Sequence, residues 1–242
     1  VMKQYNFYLL LVQLMPLYGS VSSIIGDAHR RPSVEFNTEK LECDLRVDNP
    51  FQSKAHYFNK MYTAFIFRNY DSMKAALVEY SKFKIGSWIF VYSSIIQTFY
   101  EGLISFWIGR REKDNTWIER GKDSCRNIEK LVESASGWNC ENKEKLLQAE
   151  EQLCEGNFEL AETLYDSAVY SAKTHRFVNE EALANELAGE FFLEMNRNDQ
   201  AKICFSHAIE KYDEWGAFGK TKSLREKLRG LETNGIDRPA YG

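Results

Sequence analysis

The chain has 242 residues, 44% of them hydrophobic and 14% aromatic, which supplies apolar surface for a sizeable core and excludes disorder on composition. Its 31 basic and 35 acidic residues leave a net charge of −4 and are mixed along the chain. That balance argues against the basic footprint of a nucleic-acid binder or of a protein drawn to an acidic membrane.

Cys43, Cys125, Cys140, Cys154 and Cys204 are an odd number of cysteines, with no C-x-x-C pair among them. They read as free thiols in a reducing, cytoplasmic compartment, not as a disulfide framework or a zinc site. Phe7 to Leu14 reads FYLLLVQL between Lys3 and Gly19-Ser20, the outline of a secretory signal. Gln13 interrupts the run and Pro16 follows it, so the favoured reading is a truncated helix of a longer chain, with secretion as the alternative. The run is too short to span a bilayer. Residues 1–50 are thus expected to hold one apolar helix and an irregular connector around Gly26, Asp27, Arg30, Arg31 and Pro32.

No proline occurs between Phe51 and Arg238, which permits continuous helical packing. No sustained period-two alternation marks a strand. The apolar spacing predicts helices near 54–67, 72–84, 88–110, 115–134, 142–155, 158–174, 179–195, 198–214 and 220–230. Polar breaks at Arg68-Asn69, Lys113-Asp114, Glu155-Gly156-Asn157 and Asn196-Arg197-Asn198 are short enough to fold consecutive helices back as antiparallel hairpins. The repeat domain is expected over 51–231, with a flexible tail over 232–242.

An internal repeat runs through this region. Ala161, Tyr165 and Ala168 recur 40 residues later as Ala201, Phe205 and Ala208, and 40 residues earlier as Gly121, Cys125 and Ile128. Positions i, i+4 and i+7 share one helix face. A small residue lets the two helices of a hairpin approach closely, and a larger one fills the gap to the next hairpin. The period exceeds the ~34 residues of the consensus tetratricopeptide repeat, so the helices are expected to be longer. The fold expected is all-α, a right-handed superhelix of antiparallel hairpins, a tetratricopeptide-like solenoid.

The stretch from Phe177 to Ala188, FVNEEALANELA, with Tyr212, Trp215-Gly216-Ala217 and Gly219-Lys220, resembles the helical tail of a group of large signalling proteins. In those proteins a serine/threonine kinase-like domain and a predicted signal-transduction ATPase precede a tetratricopeptide-like region, often followed by sensor histidine kinase or cyclase domains. The resemblance covers about Lys143–Lys222 and reaches back more loosely to Tyr57. It implies a signalling scaffold or regulatory segment. No kinase glycine loop, Walker motif or histidine kinase ATP-binding motif stands in these residues, so no catalytic activity carries over. The alternative is a part of an active kinase whose enzymatic domains lie outside this chain.

Two motifs suggest chemistry. Gly216-Ala-Phe-Gly219-Lys220-Thr221 ends like a phosphate loop, but Glu214 stands where its first glycine belongs and a helix precedes it. A glycine stop and a new helix is the simpler reading. Ser206-His207-Ala208 is faintly like a phospho-acceptor segment, yet His207 adjoins a repeat-core position. His29, His56 and His175 lack metal-ligand spacing. Trp88, Trp107, Trp117, Trp138 and Trp215 fit a helical core better than an aromatic binding surface. No catalytic residue, cofactor or metal is expected, and the partner expected is a protein. Candidate groove residues are the polar ones on the first helix of each hairpin: Lys145, Gln148, Gln152, Asn185 and Glu186. For Asn185 and Glu186 the competing reading is an inter-helix hydrogen bond that fixes register.

Overall fold

A computed structural model describes residues 8–26, 50–83, 91–134 and 137–236. Cys43, His29, Trp88, the connector residues 27–49 and the tail from 237 onward lie outside the described residues. Among the described residues there are ten helices and no strand. They are α1 (Tyr8–Ile25), α2 (Pro50–Ile66), α3 (Tyr70–Ser81), α4 (Val91–Glu112), α5 (Asn115–Ser134), α6 (Gly137–Glu155), α7 (Phe158–Thr174), α8 (Val178–Glu194), α9 (Asn198–Trp215) and α10 (Phe218–Ile236). The described residues are all-helical, and α1 packs on α2, α2 on α3, and each helix from α5 to α9 on the one that follows it.

The turns explain the hairpins. Six helix ends are each followed by one residue in the left-handed conformation: Arg68, Lys113, Gly156, Arg176, Asn196 and Gly216. In every case the next residue donates its N–H to the carbonyl five positions back, from Asn69 to Ala64, Asp114 to Gly109, Asn157 to Gln152, Phe177 to Ala172, Arg197 to Phe192 and Ala217 to Tyr212. That is the Schellman closure, which satisfies the orphan carbonyls of a helix end and reverses the chain within two or three residues. Two of the helices that follow are opened by side chains. Asn69 accepts from the Ser72 N–H at 3.2 Å, and Asp114 from the Thr116 N–H at 2.8 Å.

The chain divides into two compact units, Val1–Gln97 and Thr98–Gly242. In the first, α1 lies on α2. Thr63 donates to Ser20 Oγ at 2.7 Å, and the Ser20 hydroxyl donates in turn to the Asn59 carbonyl at 3.3 Å. α1 continues through Pro16 and Gly19. The N-terminal helix is therefore joined to α2 by side-chain hydrogen bonds, where the sequence suggested a separate segment ending near residue 50. Met61, Phe65, Met73, Leu77 and Tyr80 form the buried seam between α2 and α3.

In the second unit, small residues set the helix spacing. A Cβ added at Gly121 of α5 would lie 2.6 Å from the Phe106 ring of α4, and one added at Gly189 of α8 would lie 2.6 Å from the Phe205 ring of α9. At Gly102 of α4 it would meet Leu147 of α6 and Ser124 of α5 at 2.7 and 2.8 Å. The largest departures from the expected helix limits are at two helices. α6 starts at Gly137 instead of near 142, because Trp138 stacks on Phe177 and Cys140 is buried, so this turn is held by packing. α10 runs through Gly230 and Asn234-Gly235 to Ile236, where a tail was expected from 232.

Two stability outcomes follow from this geometry. Gly189→Ala gains ~0.5–1 kcal/mol of helix propensity but drives a methyl group into the Phe205 ring, so a net loss of about 1–2 kcal/mol is expected in urea unfolding. Gly230→Ala, where an added Cβ meets nothing within 4 Å, should instead stabilise. Arg176→Gly removes a left-handed cost of ~1–2 kcal/mol against the larger entropy loss of glycine, ~0.5–1 kcal/mol, so a gain of about 0.5–1 kcal/mol is expected. A destabilised Arg176→Gly chain would contradict the closure geometry.

Candidate functional site

Three buried charge clusters link alternate helices of the second unit. Arg110 of α4 reaches Glu150 of α6 at 2.5 Å, and Glu150 also accepts from the Tyr165 hydroxyl of α7 at 2.7 Å. Lys143 of α6 pairs with Glu180 of α8 at 2.7 Å, and Asn142 donates to the same carboxylate. Lys220 of α10 pairs with Glu186 of α8 at 2.7 Å, and Tyr212 of α9 donates to the other oxygen of that carboxylate at 2.8 Å. A fourth, shallower pair joins Lys227 of α10 to Glu190 of α8 at 2.5 Å. Each cation also has an aromatic or thiol neighbour: Lys143 lies 4.9 Å from the Phe177 ring centre, Lys220 lies 5.7 Å from Tyr212, and Arg110 is 3.9 Å from Cys154 Sγ.

Burial acts to lower the Arg110 pKa, but Glu150, with smaller contributions from Tyr165, Cys154 and Glu194, holds it above its ordinary range. Burial next to Glu150 pushes the Tyr165 hydroxyl well up, so it stays a donor. Burial likewise raises the Cys154 and Cys204 thiols to about 11. These are structural networks in which each carboxylate is paired with a cation, although the Asn142 amide oxygen is buried without a hydrogen-bond partner. Their members are closed off from solvent by packing and by one another.

The candidate groove residues fall in two places. Asn185 and Glu186 are buried at 5% and 1% exposure. Asn185 donates to the Glu181 carbonyl in its own helix at 2.9 Å, and Glu186 is the carboxylate of the Lys220 cluster. Neither presents its side chain to an open groove, because the cation and hydroxyl that neutralise Glu186 come from helices packed over it. Lys145, Gln148 and Gln152 are half-buried along α6. Lys145 donates to Gln148 at 3.4 Å, while Gln152 accepts from Asn157 at the α6–α7 turn at 2.8 Å. The repeat positions occupy α5, α7 and α9. Gly121, Ile128, Ala161, Tyr165, Ala168, Ala201, Phe205 and Ala208 are buried, and Cys125 is half-buried.

Lys220 itself is 1% exposed and bound to Glu186, and Gly216 ends α9 in the left-handed conformation. The Gly216–Thr221 segment is thus a helix stop followed by a helix start whose lysine faces inward. Among the described residues no group of three His, Cys, Asp or Glu side chains could hold a metal ion. No helix among them is long and apolar enough to cross a membrane.

One open cleft stands between α6 and α7, with a volume of about 590 Å³. Glu141 and Lys145 line it from α6, and Thr163, Asp166, Ser167, Tyr170 and Ser171 from α7. Thr174 and His175 close its end. Of the groove residues read from the sequence, only Lys145 reaches this cleft. The α7 residues were missed because they lie on the second helix of a hairpin, opposite the repeat-core face. Their own signal was the hydroxyl spacing Thr163, Ser167, Ser171, one per turn.

Lys220→Met strands a buried carboxylate and should cost about 3–5 kcal/mol, whereas adding Glu186→Gln, which keeps an acceptor for Tyr212, should recover more than half of that loss. A double-mutant cycle by urea unfolding checks the coupling, and additive losses would contradict it. At pH 8 roughly one thiol in a thousand is ionised when the pKa is about 11, so iodoacetamide should label Cys154 and Cys204 slowly in the native chain and rapidly in urea. Peptide mass spectrometry distinguishes the sites.

No protein-family model matches the chain, no curated protein is significantly similar to it, and no solved structure matches it.

Proposed function

We propose that the chain is a non-catalytic protein-interaction or scaffolding module, built as a tetratricopeptide-like solenoid of helical hairpins. On the family resemblance, it is the helical regulatory segment, or a relic, of a signal-transduction ATPase or kinase protein. The observation that carries the reading is the repeated construction. Hairpins with the same Schellman turn recur, the second helices α7 and α9 bury the same small/large/small positions with Gly121, Cys125 and Ile128 at the equivalent places of α5, and the first helices are tied to one another by buried charge pairs. Arrays of this kind present extended surfaces to other proteins.

Charged and hydroxyl side chains that would be candidates for chemistry are already engaged. Glu186, Lys220 and Tyr212 satisfy one another, as do Glu150, Arg110 and Tyr165. A hydrolytic site needs a nucleophile and base open to substrate, with a separate donor set for the developing charge. The buried clusters hold their groups for folding.

Two measurements test the reading. Equilibrium dialysis of the full chain against ATP should show no saturable binding, and no turnover should be detectable. A benzophenone side chain introduced at Gln148 should crosslink a discrete protein in native extract, and one at Asp199 should not. Saturable ATP binding, or identical crosslinks from both positions, would overturn the module reading.

A further inference from the structure

The α6–α7 cleft differs from the buried clusters in being open to solvent, and its chemistry is one-sided. Three hydroxyls climb its α7 wall, and each has committed its proton inside the protein. Thr163 donates to the Glu159 carbonyl at 3.0 Å, Ser167 to the Thr163 carbonyl at 2.8 Å and Ser171 to Glu141 Oε2 at 2.8 Å. What these oxygens offer to the cleft is lone pairs. Glu141 and Asp166 add two carboxylates, which are acceptors only. His175 Nδ1 faces Ser171 Oγ at 3.5 Å.

The one ammonium in the lining, Lys145, is directed along its own helix, at 3.4 Å from Gln148 Oε1 and 3.9 Å from Glu144. Carboxylates crowd the surroundings. Burial, then Glu129, Glu141 and Glu133, raise the Glu144 pKa despite Lys145, and burial with Glu162 raises that of Asp166. Aromatic faces stand at the mouth and end. Tyr170 is 72% exposed, and Trp138, at 55%, stacks on Phe177 beside His175.

Resting on the module reading above, we propose that this cleft is a docking site for a basic linear segment of a partner protein, and that it receives an arginine side chain. The Glu141 and Asp166 carboxylates match the N–H fork of a guanidinium, which carboxylates bind in bidentate fashion, while the Lys145 ammonium is turned toward Gln148 and Glu144. The exposed Tyr170 ring gives the planar cation a face to stack on. An acidic or phosphorylated segment would meet Glu141 and Asp166 with like charge.

Fluorescence anisotropy on the full chain tests this, with fluorescein-labelled twelve-residue peptides of repeating Gly-Ser-Arg, Gly-Ser-Lys and Gly-Ser-Glu. Saturable binding is expected for the arginine peptide, weaker binding for the lysine peptide and none for the glutamate peptide. Glu141→Gln and Asp166→Asn should each weaken the arginine peptide on the order of tenfold, the loss of one charge-assisted contact. Tyr170→Ala should reduce the arginine-over-lysine preference. Asp199→Asn removes the same charge from a carboxylate 99% exposed on α9 and should leave affinity unchanged. Equal weakening by Asp199→Asn would show general charge attraction and overturn the site. Concentration-dependent dimers that Asp166→Asn abolishes would make a second copy the occupant and also overturn it. A partner crosslinked from Gln148 equally well in the parent and in the Glu141→Gln/Asp166→Asn chain would overturn the cleft while leaving the module reading standing. Loss of every protein crosslink in the parent would remove that reading itself.

Discussion

Alternate helices of the second unit are held in register by buried cations set against buried carboxylates. Arg110 ties α4 to α6, Lys143 ties α6 to α8, and Lys220 ties α10 to α8. Removing such charges from water is costly, and a buried ion pair is often no more stabilising than well-packed apolar residues of the same volume. Its effect is on geometry. A carboxylate that must meet both an ammonium and a tyrosine hydroxyl fixes the position of three helices at once, and a slip of one residue would leave a buried charge unpaired. For a stack whose helices share similar apolar faces, this is what excludes the neighbouring registers.

The close contacts depend on that registration. Gly189 admits the Phe205 ring only if α8 and α9 cross at one place, and Gly121 does the same for Phe106 between α5 and α4. The ring comes from the second helix of the hairpin in one case and from the first in the other, so the interlocking is not a copy of a single repeat. The charges vary in a related way. Arg110, Glu150 and Glu190 stand at 40-residue intervals, and Tyr165 and Phe205 are likewise 40 apart. Where Tyr165 donates to Glu150, Phe205 has no hydroxyl to offer. There the Lys227 ammonium binds Glu190 at 2.5 Å and lies 5.0 Å from the Phe205 ring centre. A lost hydroxyl is replaced by a cation from the next helix.

Much of the fold was legible in the sequence because it depends on local signals. Short breaks, the absence of proline and the 3.6-residue apolar period place the helices to within a few residues. The least legible turn was that before α6, where tertiary contacts of Trp138 and Cys140 decide the limit. The small positions of the first helices, Gly109, Ala149 and Gly189, also recur every 40 residues, so the repeat is written in both helices of the hairpin. The partners of Glu186 were not legible. Its ligands come from positions 212 and 220, and nothing in spacing tells a buried carboxylate with two distant donors from an exposed one lining a groove.

The same physics separates structural polarity from polarity available to a partner. In the buried clusters every carboxylate meets a cation from a packed helix and a second donor, a tyrosine hydroxyl at Glu150 and Glu186 and the Asn142 amide at Glu180, so their hydrogen-bonding capacity is turned inward. On the α7 wall the hydroxyls of Thr163, Ser167 and Ser171 also satisfy acceptors within the protein, but each does so with its only proton and keeps acceptor capacity on its oxygen. With Glu141 and Asp166 beside them, the surface disfavours a ligand of like charge before any partner arrives.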